Sequence, residues 1–186
     1  MRKVIYSLSV SLDGYIQTTD GQIDWSAPDP ELHQFHNAQE AETDTHLYGR
    51  RLYEEMASHW PTAATHPDAT REVIEYARIW RDTPKIVFSR TLDSVEHNST
   101  LVRDDIPGTI QDLRDRPGKH LSLGGATLAA SFHRLGLIDE YRLFVHPVVL
   151  GDGTPYFPTH DHRTALRLTD SHVFGSGVVY LRYQPA

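Results

Sequence analysis

Three apolar, strand-like runs in this chain each end in glycine or in a serine–arginine pair, and that repetition narrows the possible folds more than any other feature. Leu121 and Leu123 close one run; Gly124-Gly125 turns out of it, and Thr127 to Leu135 has helical spacing. Thr45-His46-Leu47-Tyr48 closes a second, and Gly49-Arg50-Arg51 leads on into a helix through Leu52, Tyr53 and Met56. Lys85-Ile86-Val87-Phe88 closes a third and ends in Ser89-Arg90. Strands that alternate with helices build a parallel sheet covered on both faces, and such sheets bind ligands beyond the carboxyl ends of their strands. All three endings fall there.

The rest of the chain fits one α/β domain spanning 1–186. Val4 to Val10 is rich in β-formers and reads as a first strand, followed by Asp-Gly turn signals in a polar loop that holds Trp25. Residues 29–42 read as a helix with Asp29 as N-cap and Pro30 in the first turn. Pro61 to Pro67 reads as irregular, 68–80 as a helix, Leu101-Val102 as a short strand and Ile106 to Arg114 as a short helix. Gly136 ends the helix behind the glycine pair, and Leu143 to Leu150 reads as a strand. Two more strands, 165–173 and 178–183, are joined by Gly175-Ser176-Gly177 as an antiparallel hairpin. The expectation is a mixed, mostly parallel sheet with an antiparallel edge.

Composition removes several function classes. There is no cysteine, which excludes disulfides, thiolate metal sites and cysteine nucleophiles and fits a reducing cytoplasm. A formal charge of −7 disfavours nonspecific binding to nucleic acid or anionic lipid. Ser7, Ser9 and Ser11 break the apolar run after Met1-Arg2-Lys3, so a signal peptide is not expected, and no stretch is long enough to span a bilayer. The twelve histidines raise a metal site, with His33/His36 on one helix face and His160/His162 flanking Asp161. Without HExxH spacing or cysteine, solvated or locally bonded histidines are the expectation, and no metal is assigned.

Two helix starts and a Ser-Arg pair on one rim suit a ligand with several phosphates. Backbone N–H groups at Gly124, Gly125 and Ala126 can approach a pyrophosphate at the positive end of a helix dipole. Arg50 and Arg90 can hold a further phosphomonoester, with a hydroxyl donor from Ser89. NADPH matches that inventory. The six-residue Rossmann fingerprint and the P-loop lysine signature are both missing, and Arg50 and Arg51 also read as solvated residues at a helix start.

Six motifs occur in order: Ser-Leu-Asp-Gly-Tyr-Ile (11–16), Tyr-Gly-Arg-Arg-Leu-Tyr-Glu (48–54), Ile-Val-Phe-Ser-Arg-Thr-Leu (86–92), Gly-Gly-Ala (124–126), Gly-Leu-Ile-Asp-Glu (136–140) and Pro-Val-Val-Leu-Gly-Asp-Gly (147–153). Over residues 2 to about 183 the chain resembles the dihydrofolate reductase-like superfamily, and within it the stand-alone proteins similar to the reductase (RibD C-terminal) domain of riboflavin biosynthesis. The resemblance implies a three-layer fold around an eight-stranded mixed sheet and an NADPH site. In that site Gly49 and Arg50 would lie near the adenosine phosphates, Ser89 and Arg90 on the ribose 2′-phosphate, and Gly124, Gly125, Ala126 and Thr127 on the pyrophosphate. Val10 and Leu12 would lie near the nicotinamide. It also implies a homodimer, with the C-terminal strands as its interface.

On the substrate side, dihydrofolate reductases carry an acid four residues before a phenylalanine. Glu31 and Phe35 have that spacing, which makes Glu31 a candidate catalytic residue and pterin anchor and Phe35 a cleft wall. Glu31 equally suits the first turn of a helix. Trp25 is a third candidate for substrate contact. Ala129, Leu52 and Val145 stand where those enzymes tend to carry Tyr, Thr and Thr. Asp13 could be a proton donor, but its Asp-Gly turn points to loop shaping. The leading reading is an NADPH-dependent reductase acting on a pterin-like, other heterocyclic or carbonyl substrate. A nucleotide-binding module without turnover is a second reading. A third is the 5-amino-6-(5-phosphoribosylamino)uracil reductase itself, for whose phosphoribosyl tail the sequence offers no further basic cluster.

Overall fold

In the computed structural model, which describes residues 1–159 and 163–186, eight strands form one sheet. They are β1 (Val4–Ser11), β3 (Thr43–Gly49), β4 (Lys85–Phe88), β5 (Ser99–Val102), β6 (His120–Gly124), β7 (Glu140–His146), β9 (Leu166–Val173) and β10 (Val179–Pro185). Their order is β5-β4-β3-β6-β1-β7-β10-β9. The first six run parallel, and β10 and β9 add the antiparallel edge that the glycine-rich hairpin predicts. A small pair, β2 (Tyr15–Gln17) with β8 (Thr154–Pro155), lies outside this sheet.

Strand alternation divides the side chains between two faces. Val4, Tyr6, Val10, Leu47, Leu121, Leu123 and Tyr141 build the larger core with Leu128, Ala129 and Phe132 of α5 (Ala126–Arg134) and Ile110 of α4 (Ile106–Arg114). Each large apolar side chain fully buried there contributes roughly 1.5–3 kcal/mol against exposure. The opposite face carries α1 (Pro30–Glu40), α2 (Arg50–Ala63) and α3 (Arg71–Asp82), with Leu32 packed near Phe144 and Tyr180, and Tyr53 and Trp80 packed near Tyr48 and Val87.

Two elements depart from expectation at their ends for a physical reason. α2 runs through Pro61 to Ala63, because the amphipathic packing of Tyr53, Met56 and Trp60 outweighs the one backbone bond that a proline near the helix end forfeits. β7 starts earlier, at Glu140, and stops at His146, since Pro147 has no N–H to continue the ladder. His160, Asp161 and His162 lie outside the described residues.

Asp13 shapes its loop. Its carboxylate accepts from Ser11 Oγ at 2.6 Å, Gly151 N at 2.7 Å and Leu150 N at 3.1 Å, tying the end of β1 to the loop after β7. The Ser11 hydroxyl, then the N–H groups of Gly151 and Leu150, hold the carboxyl down at about 2, so it carries no proton to donate near neutral pH. A carboxyl lowered in the folded state stabilises above its unfolded pKa and loses that contribution as pH falls through the folded value. Asp13→Asn is therefore expected to lower the urea midpoint at pH 7 and to flatten the acid limb between about pH 4 and about pH 2, as pH-dependent urea melts would read.

Candidate functional site

The parallel ladders bring the three strand endings onto one rim. Gly49 pairs with Phe88, Phe88 with Val102, and Tyr48 with Gly124. The helices that begin there differ from the rest in their caps. α1, α3 and α4 are each closed by a side chain accepting a backbone N–H, from Asp29, Thr70 and Asp105 respectively. Such a cap contributes about 1 kcal/mol. α2 and α5 start at Gly49 and Gly125 with no side-chain cap and no acid in the first turn. Their N-terminal N–H groups are left to whatever lies on the rim.

Gly124 and Gly125 are glycines for different reasons. A Cβ on Gly124 would stand 2.5 Å from Leu52 Cδ2 and 3.4 Å from the Tyr48 ring, so α2 packs over bare backbone. Gly125 has φ +88° and ψ 126°, a conformation that side chains disfavour. The chain needs it to turn from β6 into α5.

The cationic groups stand beside these helix starts. Arg50 donates from Nε to Glu54 at 2.9 Å and from Nη1 to Thr91 Oγ1 at 3.0 Å. Ser89 is buried, and its Oγ accepts from the N–H groups of Thr91 and Leu92 at 3.2 and 3.1 Å. Arg90 is exposed and pairs through Nε with Asp104 at 2.8 Å. Arg103 Nη1 lies 3.4 Å from the Arg90 carbonyl. Thr91, Asp104 and Arg103 were not legible as partners, because their link to Arg50 and Arg90 is made by sheet pairing rather than by spacing. Ala126 is half-buried and Thr127 exposed in the first turn of α5.

Between β6 and β1 the sheet opens. Pairing of these strands covers Val4 to Tyr6, whereas β1 stays paired with β7 as far as Ser11. The Lys3 carbonyl accepts from Leu121 N on the β6 side and the Val4 carbonyl from Asp139 N on the β7 side. Backbone groups alternate along a strand, so the N–H and C=O of Ser9 face the gap beyond β6. Val10, in this stretch, is buried in the larger core, while Leu12 is 66% exposed and donates its N–H to Val148 O.

The three substrate candidates separate. Glu31 is exposed, and its Oε2 accepts from Gly175 N at 3.2 Å, which ties α1 to the β9–β10 turn. Phe35 packs against Phe144, Phe174 and Tyr180 and stacks on His172, on the same hairpin. Trp25 lies in a 3-10 turn (Asp24–Ser26) and meets His146 edge to face at 5.6 Å, over the end of β1. Ser9, His36 and His146 join Trp25 there. Sequence reasoning pairs His36 only with His33, and it misses Ser9 and His146, because each comes from a different element.

Two cavities lie away from this rim. One of about 500 Å³ sits at the amino ends of β3 and β4, where Asp44, Glu75 and Asp82 outnumber Arg78 and would repel an anion. One of about 240 Å³ is lined by Phe35, Glu42, Asp170 and Arg182. Among the described residues no three His, Asp or Glu side chains form a group that could hold a metal ion, and no helix is long and apolar enough to cross a membrane.

Residues 2–180 match the family model of the RibD C-terminal domain. The uncharacterized protein YyaP of Bacillus subtilis (strain 168) is 36% identical over 185 residues, covering 98% of this chain and 94% of YyaP. A putative riboflavin biosynthesis protein from Shewanella sp. PV-4 superposes with a TM-score of 0.79 at 24% identity, covering 100% of this chain and 99% of that one. Dihydrofolate reductase from Enterococcus faecalis, solved with NADP(H), gives a TM-score of 0.65 at 14% identity over 98% and 96% of the two chains. The fold is dihydrofolate reductase-like.

Proposed function

The chain belongs to the RibD C-terminal domain family, and from that premise we propose that it is an NADPH-dependent oxidoreductase acting on a small heterocyclic or carbonyl substrate. The observation that carries this reading is the pair of uncapped helix starts beside Arg50, Thr91 and Arg90 on one rim, next to the open backbone of Ser9. The residues fit the cofactor: the first-turn N–H groups of α2 and α5 have no side chain to satisfy them.

In this reading the N–H groups of Gly125, Ala126 and Thr127 hold the pyrophosphate. Arg50, Arg90 and the Thr91 hydroxyl hold the ribose phosphate, with Ser89 fixing the turn that carries Thr91. The Ser9 N–H and C=O take a planar carboxamide, and Val10 backs it from the core. When bound, NADPH supplies a hydride, so reducing one C=N or C=O bond consumes that hydride and one proton and releases NADP⁺. The chain orients donor and acceptor across the gap and keeps water from between them. Glu31 is engaged with Gly175, so the proton is drawn from solvent.

Binding and turnover test this together. Replacing both Arg50 and Arg90 with alanine should weaken NADPH by about 10- to 100-fold, since each charged hydrogen bond contributes about 1.5–3 kcal/mol less its screening. NADH affinity should stay the same, as read by quenching of tryptophan fluorescence. Equal losses for both nucleotides would remove the phosphate role. Tight NADPH binding, with no oxidation across a panel of pterins, pyrimidine ribosides and carbonyls, would instead favour a binding module.

A further inference from the structure

His46 and Tyr48 are two residues apart on β3, so strand alternation puts both side chains on the face covered by α1, α2 and α3. His46 is 1% exposed, with Nε2 3.0 Å from Glu40 Oε2 and Nδ1 2.9 Å from the Tyr48 hydroxyl. Burial alone would raise the Glu40 carboxyl. The bonds from His46 and Thr43 outweigh it and hold the group below the ordinary glutamate range. Glu40 is therefore a carboxylate, which only accepts, so His46 keeps its ring proton on Nε2 and turns the Nδ1 lone pair to Tyr48. The Tyr48 hydroxyl donates to it. A carboxylate, an imidazole and a hydroxyl in this order make a base set to take the hydroxyl's proton.

No substrate reaches that base. Tyr48 is 4% exposed, and neither cavity away from the rim is lined by it. Burial, then Tyr76 and Glu40, pushes its phenol well above the ordinary tyrosine value, so it keeps its proton at rest. What does reach Tyr48 is a run of oxidisable side chains. Tyr76 packs against the same cluster and acts on the Tyr48 phenol, and its ring lies 4.4 Å from that of Trp60. Trp60 is half-buried and meets the exposed His59 edge to face at 4.8 Å, on the outer side of α2. An electron can cross such packed rings where no molecule can pass. A phenol gives up an electron readily only if its proton leaves as well, because the protonated radical is a very strong acid. Tyr6 and Tyr156 donate to carbonyl oxygens, which take no proton at neutral pH. Tyr48 has His46.

We propose that Tyr48 is a one-electron redox site, reached from the surface through Trp60 and Tyr76, with His46 and Glu40 holding its proton. An oxidant of the one-electron class at the surface, such as a peroxyl radical, takes one electron, which Tyr48 supplies by way of Tyr76 and Trp60. The O–H bond of Tyr48 breaks as the electron leaves. The proton binds His46 Nδ1, and the imidazolium stays paired with Glu40 through its Nε2–H. The products are a neutral phenoxyl that accepts from Nδ1–H and an oxidant reduced by one electron, a peroxide anion in the peroxyl case. One electron returned by ascorbate sends the proton back. On the inner side, a Cβ on Gly124 would stand 3.4 Å from the Tyr48 ring, so the oxidising equivalent is held behind the glycine rim and returned to the surface. The site needs no nucleotide.

Flash oxidation of the full chain by photogenerated tris(bipyridine)ruthenium(III) tests this. The readouts are the phenoxyl absorption and electron paramagnetic resonance, taken after surface radicals have coupled. A long-lived phenoxyl is expected, since a buried radical cannot meet another. Tyr48→Phe should remove it, while Tyr141→Phe, which removes a second imidazole-bonded phenol (His133, 2.8 Å), should leave it. His46→Gln should slow its formation by about 100-fold, the low end for loss of a positioned base. Trp60→Phe should lower its yield. In the unaltered chain it should form more slowly in deuterium oxide, because the proton moves with the electron, an effect that a packing role does not produce. A long-lived phenoxyl that survives Tyr48→Phe, one that vanishes in Tyr141→Phe, or none in the unaltered chain would overturn the site. Equal rates in the two solvents would do the same, and that comparison decides alone where Tyr48→Phe fails to fold. An unchanged yield in Trp60→Phe would overturn the path.

Discussion

Replacing Glu140 with alanine should cost the fold about 3–5 kcal/mol, the range for stranding a buried charge partner. Glu140 is fully buried at the start of β7 and sits among cations. Its Oε1 lies 2.6 Å from Arg142 Nη2 and 2.8 Å from Arg182 Nε, and its Oε2 lies 3.0 Å from Gln184 Nε2 and 3.5 Å from Lys3 Nζ. Arg142 is itself 1% exposed, with Glu42 at 2.5 Å as its other acid partner. Burial alone would push the Glu140 carboxyl up. The hydrogen bonds from Gln184, Arg142 and Arg182 outweigh it and hold the group below the ordinary carboxylate range. Its contribution is therefore complete above the ordinary glutamate value and is lost as pH falls through the lowered one.

The melting temperature of Glu140→Ala should fall by roughly 10 °C or more. Removing Arg142 as well should cost less than the sum of the single changes, because the stranded guanidinium goes with it. A loss within about 0.5 kcal/mol, the level of an ordinary surface change, would mean that the cluster is solvated in solution.

Gly125→Val is expected to weaken NADPH by about 100-fold or more while the protein stays folded. A Cβ there meets Leu52, at Cβ 3.5 Å and Cδ2 3.7 Å, both ordinary contacts, so the obstacle is the +88° φ rather than space. Forcing a β-branched residue into that conformation costs about 1–3 kcal/mol, and the backbone relieves it by turning the peptide that aims the first N–H groups of α5. Fluorescence titration reads the affinity and a thermal melt confirms the fold. Gly124→Ala is the matched comparison: its Cβ meets the tip of the Leu52 side chain, which can swing away, so its effect should be smaller. Unchanged affinity in Gly125→Val would move the pyrophosphate off this helix start.

What was legible in the sequence had its cause close by in the chain. Glycines at the ends of β3 and β6, Asp29 before Pro30 and the Gly175-Ser176-Gly177 turn all act within a few residues, and the sheet and its hairpin follow from them. Pro61 misled because the apolar face of α2 that overrides it is visible only once α3 lies against it. The β2–β8 pair joins residues about 140 apart, and no local pattern announces it. At the candidate site the two uncapped helix starts were readable because glycine signals them. The cluster of Trp25, Ser9, His36 and His146 was not, because a loop, two strands and a helix supply one group each. Glu31 and Phe35 had the spacing of a known pair, yet on this helix they face the β9–β10 hairpin.

β1 outlasts β6, and the result is a sheet of eight strands with three edges. Two are the outer strands, β5 and β9. The third is internal, a stretch of unpaired backbone around Ser9 flanked by α5 on one side and α1 on the other. Unpaired outer edges invite other chains to add a strand, and proteins blunt them for that reason. An inner edge is guarded by its own depth: a second sheet cannot reach it, whereas a single planar amide can, so recognition by strand-type hydrogen bonds is open to small molecules and closed to aggregation.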